Sequence, residues 1–246
     1  MFISVKEQGF TLIEVVLVVV ILGILSTVAI RGLTITVNKG RFDATTAEME
    51  KLARAIVGDE RLVSGGFRTD FGYVGDVGAL PPNLDALVTN PGGYSTWEGP
   101  YFQVDFTENP EDYERDAWNE LYTYSGGVTI VSNGGGSAMT KQFANSISDL
   151  TSNTINGVVR DVGLSPPGDS ASNVTVTILY PDGSGSTTSS STSPGSSGKF
   201  SFSNSIPVGI HLLRAVTTSA DTLSKYIAVY PRRTAYTELR FPRDLW

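Results

Sequence analysis

The sequence contains no cysteine and a single histidine, His211. Disulfides, thiolate metal sites and a cysteine nucleophile are therefore excluded, as is any site needing two imidazoles. A Ser-His triad would have to use that one ring. Basic residues are also in the minority: 18 Lys and Arg stand against 25 Asp and Glu, for a net charge of −7. Such a balance is poorly suited to neutralising phosphates, so no nucleic-acid partner is expected. Catalytic signatures are missing too, with no G-x-S-x-G and no H-E-x-x-H. Gly195 to Lys199 looks like a phosphate loop at first sight, but Ser193 stands where its first glycine belongs and Phe200 where a magnesium-binding hydroxyl would be. No enzyme activity is expected.

What the chain does have is one long apolar run. Phe10 to Ile30, FTLIEVVLVVVILGILSTVAI, is 21 residues with Glu14 as its only charge. As a helix rising about 1.5 Å per residue it reaches about 30 Å, the thickness of a bilayer's hydrocarbon core. A secretory signal peptide has a shorter apolar core, about 7 to 15 residues, followed by a small-residue cleavage site. Here the run is longer, Arg31 ends it, and Lys39 and Arg41 lie beyond. Glu14 is the informative residue, because an ionised carboxylate in an apolar helix is costly unless it is solvated at headgroup depth or paired.

Immediately before and into the span runs KEQGFTLIE, Lys6 to Glu14. This segment closely resembles the amino-terminal signal of type IV pilins and type II secretion pseudopilins. The resemblance implies that a leader of residues 1–9 is removed by a prepilin peptidase between Gly9 and Phe10, and that Phe10 is then N-methylated. It makes Glu14 the fifth mature residue and gives it a partner, the terminal amine of a neighbouring subunit, so that it sets axial register during assembly. Mutual compensation of two charges that are each costly in lipid is the physical basis of such pairing. Where many relatives carry a proline soon after the midpoint of this helix, Ser26 to Arg31 contains none, leaving Gly23 as the weak point. One base in the leader, Lys6, against three after the span reverses the usual positive-inside bias, so orientation rests on the resemblance.

Past Gly40, Phe42, Thr45, Met49, Leu52 and Ile56 recur at spacings of three and four, a stripe along one helical face, with Glu48, Glu50, Lys51 and Arg54 opposite. The pattern predicts one long helix within residues 10–63, its first part (10–30) in the membrane and its second docked on a globular head. Gly58 and the Gly65-Gly66 pair end it. Residues 64–149 read as that head: LPPNLDALV as a short helix, WEGPYF as a turn feeding a strand, and DAWNELYTY with GVTIVSNGGG as two strands of a small antiparallel sheet. This order of pieces is similar to the major pseudopilin of type II secretion, whose D-P-W-G is here Asp116-Ala117-Trp118-Asn119. That family's head commonly holds calcium in its carboxyl-terminal loop. Between Gly127 and Lys141 there is no Asp or Glu, so the candidate calcium ligands shift to the acid-rich stretch holding Asp105, Glu108, Asp112 and Asp116. A solvated acidic face is the ordinary reading of such a stretch.

From about residue 150 the composition turns to Ser, Thr, Val and Gly, marking a boundary. Strands are predicted at 155–162, 174–180, 199–203, 210–216, 225–230 and 237–241, in a small antiparallel β-sandwich over 150–246. The pieces INGVVRD, VTVTILYPDG and GKFSFSNSIPVGIHLLRAV resemble carboxypeptidase-regulatory-like or transthyretin-like sandwiches. Ser186 to Ser197, with ten Ser or Thr in twelve residues, reads as a mobile loop or an O-glycan acceptor. Tyr226, Tyr230, Tyr236 and Trp246 are either packing residues or a sugar-binding face.

The fold class expected is thus α+β: a long membrane-spanning helix, a pilin-like head and an all-β sandwich. The resemblance implies a structural subunit of a type II secretion pseudopilus or type IV pilus-like filament in the bacterial inner membrane, single-pass, with its globular parts in the periplasm or on an extracellular filament. Its partners would be copies of itself, other pilin-like subunits, prepilin peptidase and an assembly platform. The alternative is a membrane-tethered or filament-displayed adhesin that binds through the sandwich.

Overall fold

The computed structural model describes residues 9–104, 111–219 and 221–246. The chain divides into two compact units, one ending at Ala44 and the other running from Thr45 to Trp246. Helix α1, Leu12–Val57, contributes to both. It is continuous through Gly23 and stops at Gly58, as the glycine pattern predicts.

In the first unit α1 is exposed on every side, with no buried residue among those described. In the second unit the predicted stripe turns inward: Thr45, Met49, Leu52 and Ile56 are all buried, as are Ala53 and Ala55. Phe42, placed on the same stripe by its spacing, is 51% exposed and falls in the first unit.

Beyond α1 the second unit opens with a minimal hairpin, β1 (Val63–Ser64) and β2 (Phe67–Arg68). Its two turn residues, Gly65 and Gly66, both have positive φ, the geometry a two-residue turn needs to match strand twist. The short helix α2, Gly72–Val77, follows. LPPNLDALV supplies a single 3-10 turn at Asp85–Leu87. Strand β3 (Thr129–Ser132) pairs antiparallel with β4 (Met139–Gln142), and helix α3 (Ile147–Thr151) starts at Ser146, whose hydroxyl accepts from the Asp149 amide.

Two sequence expectations for this region are corrected. The strand expected over 116–124 is reduced to the isolated bridges Arg115↔Leu121 and Thr123↔Val131. The Asp116 carboxylate captures the amides of Trp118 and Glu120, and Asn119 adopts φ 69°, so the chain turns instead of extending a ladder. WEGPYF contains no strand; Trp97 donates its indole N–H to the Ala86 carbonyl, and the Tyr101 amide to that of Leu87.

The remaining seven strands are β5 (Asn153–Arg160), β6 (Val174–Pro181), β7 (Thr187–Thr192), β8 (Lys199–Ile206), β9 (Gly209–Thr217), β10 (Thr222–Val229) and β11 (Ala235–Arg240). They form a four-stranded sheet, β10-β9-β6-β7, and a three-stranded sheet, β11-β5-β8. All six predicted strands are present. Two features differ from expectation. β11 pairs parallel with β5, so this sheet is mixed. Part of the Ser/Thr segment is not a loop but β7, an edge strand in register with β6, with the Thr177 and Ser191 hydroxyls 2.8 Å apart across the pair. Polar side chains hide a strand at a sheet edge, where neither face has to be apolar.

The inner faces of both sheets share one hydrophobic cluster, including Ile155, Val176, Ile178, Phe202, Leu213 and Leu239. A second cluster is built from α1, α2 and the loops around them, including Leu52, Ile56, Tyr73, Val77, Leu87 and Ile130. Val208, between β8 and β9, belongs to this second cluster, and the Phe71 and Tyr230 rings lie 5.9 Å apart. Backbone bonds from Gly183 to Val77, Ser95 to Gly185 and Val208 to Leu150 tie the same two parts together. Gly78 is required at this junction, since a Cβ there would meet the Pro181 carbonyl oxygen at 2.5 Å.

Candidate functional site

The amino-terminal end of α1 holds the residues singled out for processing and assembly. Gly9 and Phe10 precede the helix, and Phe10 is 83% exposed. Thr11 sits one residue before the helix starts. Its amide and its hydroxyl each donate to Glu14 Oε2 at 3.0 Å, and the Glu14 amide approaches the Thr11 hydroxyl oxygen at 3.4 Å. This is a reciprocal capping box, which satisfies backbone donors that a helix start leaves free. The carboxylate that seems partnerless in the sequence therefore has a partner in its own chain. The T-x-x-E spacing of Thr11 and Glu14 carries that signal, and reading for charge alone passes over it.

Along the exposed part of α1 three threonine hydroxyls are satisfied by the helix itself. The Thr27, Thr34 and Thr36 hydroxyls donate to the carbonyls of Gly23, Ile30 and Gly32 at 2.9 to 3.0 Å. A helix facing hydrocarbon needs this, because nothing outside it can accept the bond. α1 is long and apolar enough to cross a membrane.

The suggested calcium ligands do not come together in the described residues. Asp105 and Glu108 lie outside them. Asp112 starts a 3-10 turn, Asp112–Glu114. Asp116 is buried and spends both oxygens on protein donors: Oδ1 accepts from the Trp118 and Glu120 amides, Oδ2 from the Ser132 hydroxyl at 2.6 Å and the Gly134 amide at 3.0 Å. Burial alone would push this carboxyl up, but these hydrogen bonds outweigh it and hold it below the ordinary aspartate range. Among the described residues no group of three or more His, Asp or Glu side chains converges as a metal would require.

Other titratable groups are locked into packing. Burial pushes the Asp76 carboxyl up to about 6, although Tyr101 donates to it at 2.9 Å, and the charges of Glu98 and Asp70 add to the rise. Burial likewise raises Glu48, which accepts from Tyr122 at 2.9 Å. His211 lies in β9 as a buried ring with Nε2 2.7 Å from the Pro207 carbonyl oxygen, and burial lowers its pKa. It is a strand residue.

With this geometry in view, the start of α1 can be compared with known proteins. The prokaryotic N-terminal methylation motif matches residues 5–30. The type II secretion system core protein G of Xanthomonas campestris is 30% identical over 95 residues, which is 39% of this chain and 57% of that protein. The amino-terminal segment of this chain is thus type IV pilin-like in sequence. The chain spans little more than half the length of that relative. A crystal structure of BcpA, the major pilin subunit of Bacillus cereus, aligns with 47% of the chain and 37% of its own length at 9% identity and a TM-score of 0.26. The matched motif ends inside the part of α1 that is exposed throughout, and Glu14 is the only charge between Phe10 and Ile30. The likeness is to structural subunits, not to enzymes.

Proposed function

We propose that the chain is a filament subunit processed at Gly9-Phe10 by a prepilin peptidase, N-methylated at Phe10, stored in the bacterial inner membrane and assembled through α1 into a pseudopilus or type IV pilus-like filament. The observation that carries this reading is a span-length apolar helix, exposed on all sides, that begins with the methylation motif and a single carboxylate. In the membrane, lipid would cover this surface; in a filament, the same surface of neighbouring subunits would. Transfer between the two leaves apolar burial nearly unchanged, so close packing and polar pairing decide whether subunits associate.

Glu14 takes two roles in the proposal. In the stored subunit it caps its own helix through Thr11. On assembly it also accepts from the new amine of a neighbour's Phe10, since a carboxylate has lone pairs for more than the two Thr11 donors. Residues 64–149 serve as the pilin-like head and 150–246 as an added β-sandwich carried on it, with the assembly platform as the further partner.

The test is mass spectrometry of the amino terminus in cells with an active prepilin peptidase, followed by electron microscopy of sheared surface material. Mature protein starting at methylated Phe10 is expected. Glu14→Ala should leave processing and membrane levels intact while filaments disappear. Recovery of the chain with Met1 intact, or unchanged filaments from Glu14→Ala, would overturn the reading.

A further inference from the structure

Two open clefts meet at Tyr236. The first, about 560 Å³, lies between the β1–β2 hairpin and strands β10 and β11; Phe67, Thr69, Tyr226, Arg233 and Thr234 are among its walls. The second, about 640 Å³, lies on the outer face of the β11-β5-β8 sheet and presents Asn156, Ser193, Lys199 and Ser201. Tyr236, Asn156 and Ser201 are direct cross-strand neighbours on that face, so the polar groups form a row leading away from the ring. Strands β10 and β11 are each the edge of their sheet, and both clefts lie beside an open edge.

Three features of this surface need a common explanation. The Tyr226 and Tyr236 rings are each 70% exposed and Phe67 is 62% exposed, although the same chain buries Tyr73, Tyr113 and Tyr122 efficiently. Between and beside the rings the described lining is rich in Ser, Thr and Asn hydroxyl and amide groups. Finally, in a chain of net charge −7, neither cleft has an acidic residue among its described lining, whereas Arg68, Lys199, Lys225 and Arg233 are all there. Arg68 is engaged by the Asp70 and Val57 carbonyls, whereas Arg233 and Lys199 are exposed, as is Lys225, whose ammonium donates to the Glu238 carbonyl at 3.0 Å and keeps two further protons for a ligand.

Exposed rings offer flat apolar faces to C–H groups, and hydroxyl and amide side chains match vicinal hydroxyls. The cationic rim selects for carboxylates. We propose that the joined clefts bind a strand of acidic polysaccharide, with Tyr226 and Tyr236 as stacking platforms for successive sugar rings and Lys225, Arg233 and Lys199 as contacts for uronate carboxylates. This site is independent of filament assembly, which uses the other end of the chain.

The experiment is affinity electrophoresis of the full chain in phosphocholine micelles, through gels containing polygalacturonate, alginate or neutral dextran. Retardation by an acidic polymer and not by dextran is expected, weakening as salt rises. Tyr226→Ala and Tyr236→Ala should each lower the affinity about tenfold, the scale of one aromatic contact. Tyr236→Trp should retain binding, and Lys225→Gln with Arg233→Gln should remove most of the salt dependence. The substituted side chains are exposed, and circular dichroism checks that the fold survives. Glu14→Ala should bind like the unaltered chain, which keeps this result separate from that of the filament test. No retardation by either acidic polymer, equal retardation by dextran, or alanine variants that bind normally would overturn the proposal. So would a dimer, formed without saccharide and abolished by the same alanines, because the surface would then be an interface between copies of this chain.

Discussion

Helix α1 is one uninterrupted element, yet its two parts are stabilised in opposite ways. Up to Ala44 its side chains are exposed, and valine, leucine and isoleucine dominate. From Thr45 to Val57 a narrower set of apolar residues is buried in a core supplied by the same chain. Hydrophobicity alone therefore does not indicate where a helix finds its partners. The all-round apolar half has no core of its own and requires lipid or other subunits; the amphipathic half requires only its own fold.

The same truncation made in both halves should have very different costs. Leu52→Ala, at a fully buried position, should destabilise the second unit by about 2–5 kcal/mol, through lost burial and the cavity left behind. Leu22→Ala should leave that stability unchanged, because Leu22 is 56% exposed and packs against no core of its own unit. Urea unfolding in micelles, followed by tryptophan fluorescence, measures both. Similar losses from the two substitutions would mean that the two halves are not energetically distinct.

A smaller effect is expected within the second unit at Asp116. Asp116→Ala removes an acceptor for four protein donors, three of them on buried or half-buried residues, and should cost about 1–3 kcal/mol. Asp116→Asn should recover part of this, since its amide oxygen can still accept. A calcium-dependent gain in stability in the unaltered chain that Asp116→Asn removes would instead make the carboxylate a metal ligand.

How far the sequence revealed these features follows from the physics of each. The span, the stripe from Thr45 to Ile56 and six of the β-region strands were legible because burial imposes periodicity on them. β7 was not, since an edge strand of Ser and Thr has no such constraint. Asp116 looked like one acid among many, and only the fold places Ser132 and Gly134 next to it. The Thr11–Glu14 box was legible as a spacing, but the charge of Glu14 drew attention to a distant partner ahead of the near one. The joined clefts were legible only as tyrosines, because the hairpin and the two edge strands that form the walls are up to 173 residues apart in sequence, Ser64 to Thr237.

Acidity offers a milder way to sharpen the contrast, because the strongly buried carboxyls belong to the second unit. Asp76 has a folded-state pKa of about 6 against 3.8 when unperturbed. The folded chain thus keeps a proton that the unfolded chain has already released, so stability is full below about pH 4 and falls as the pH rises through about 6. Asp76→Asn should abolish this decline, raising the midpoint of thermal unfolding at pH 7 and leaving it nearly unchanged at pH 4. An equal shift at both pH values would assign the effect to packing.

The smallest effect is expected at the start of α1, where no core amplifies it. Thr11→Val keeps the shape of the side chain but removes its hydroxyl, so one donor to Glu14 and one acceptor for the Glu14 amide are lost, while the Thr11 amide can still reach the carboxylate. Amide hydrogen exchange in micelles should then accelerate over the first turn of α1 and nowhere beyond it, because a cap acts only on the terminal residues. Thr11→Ser should exchange like the unaltered chain. If Thr11→Val leaves the first turn as protected as before, Glu14 holds the helix start through the Thr11 amide alone, and the hydroxyl is free to serve another partner.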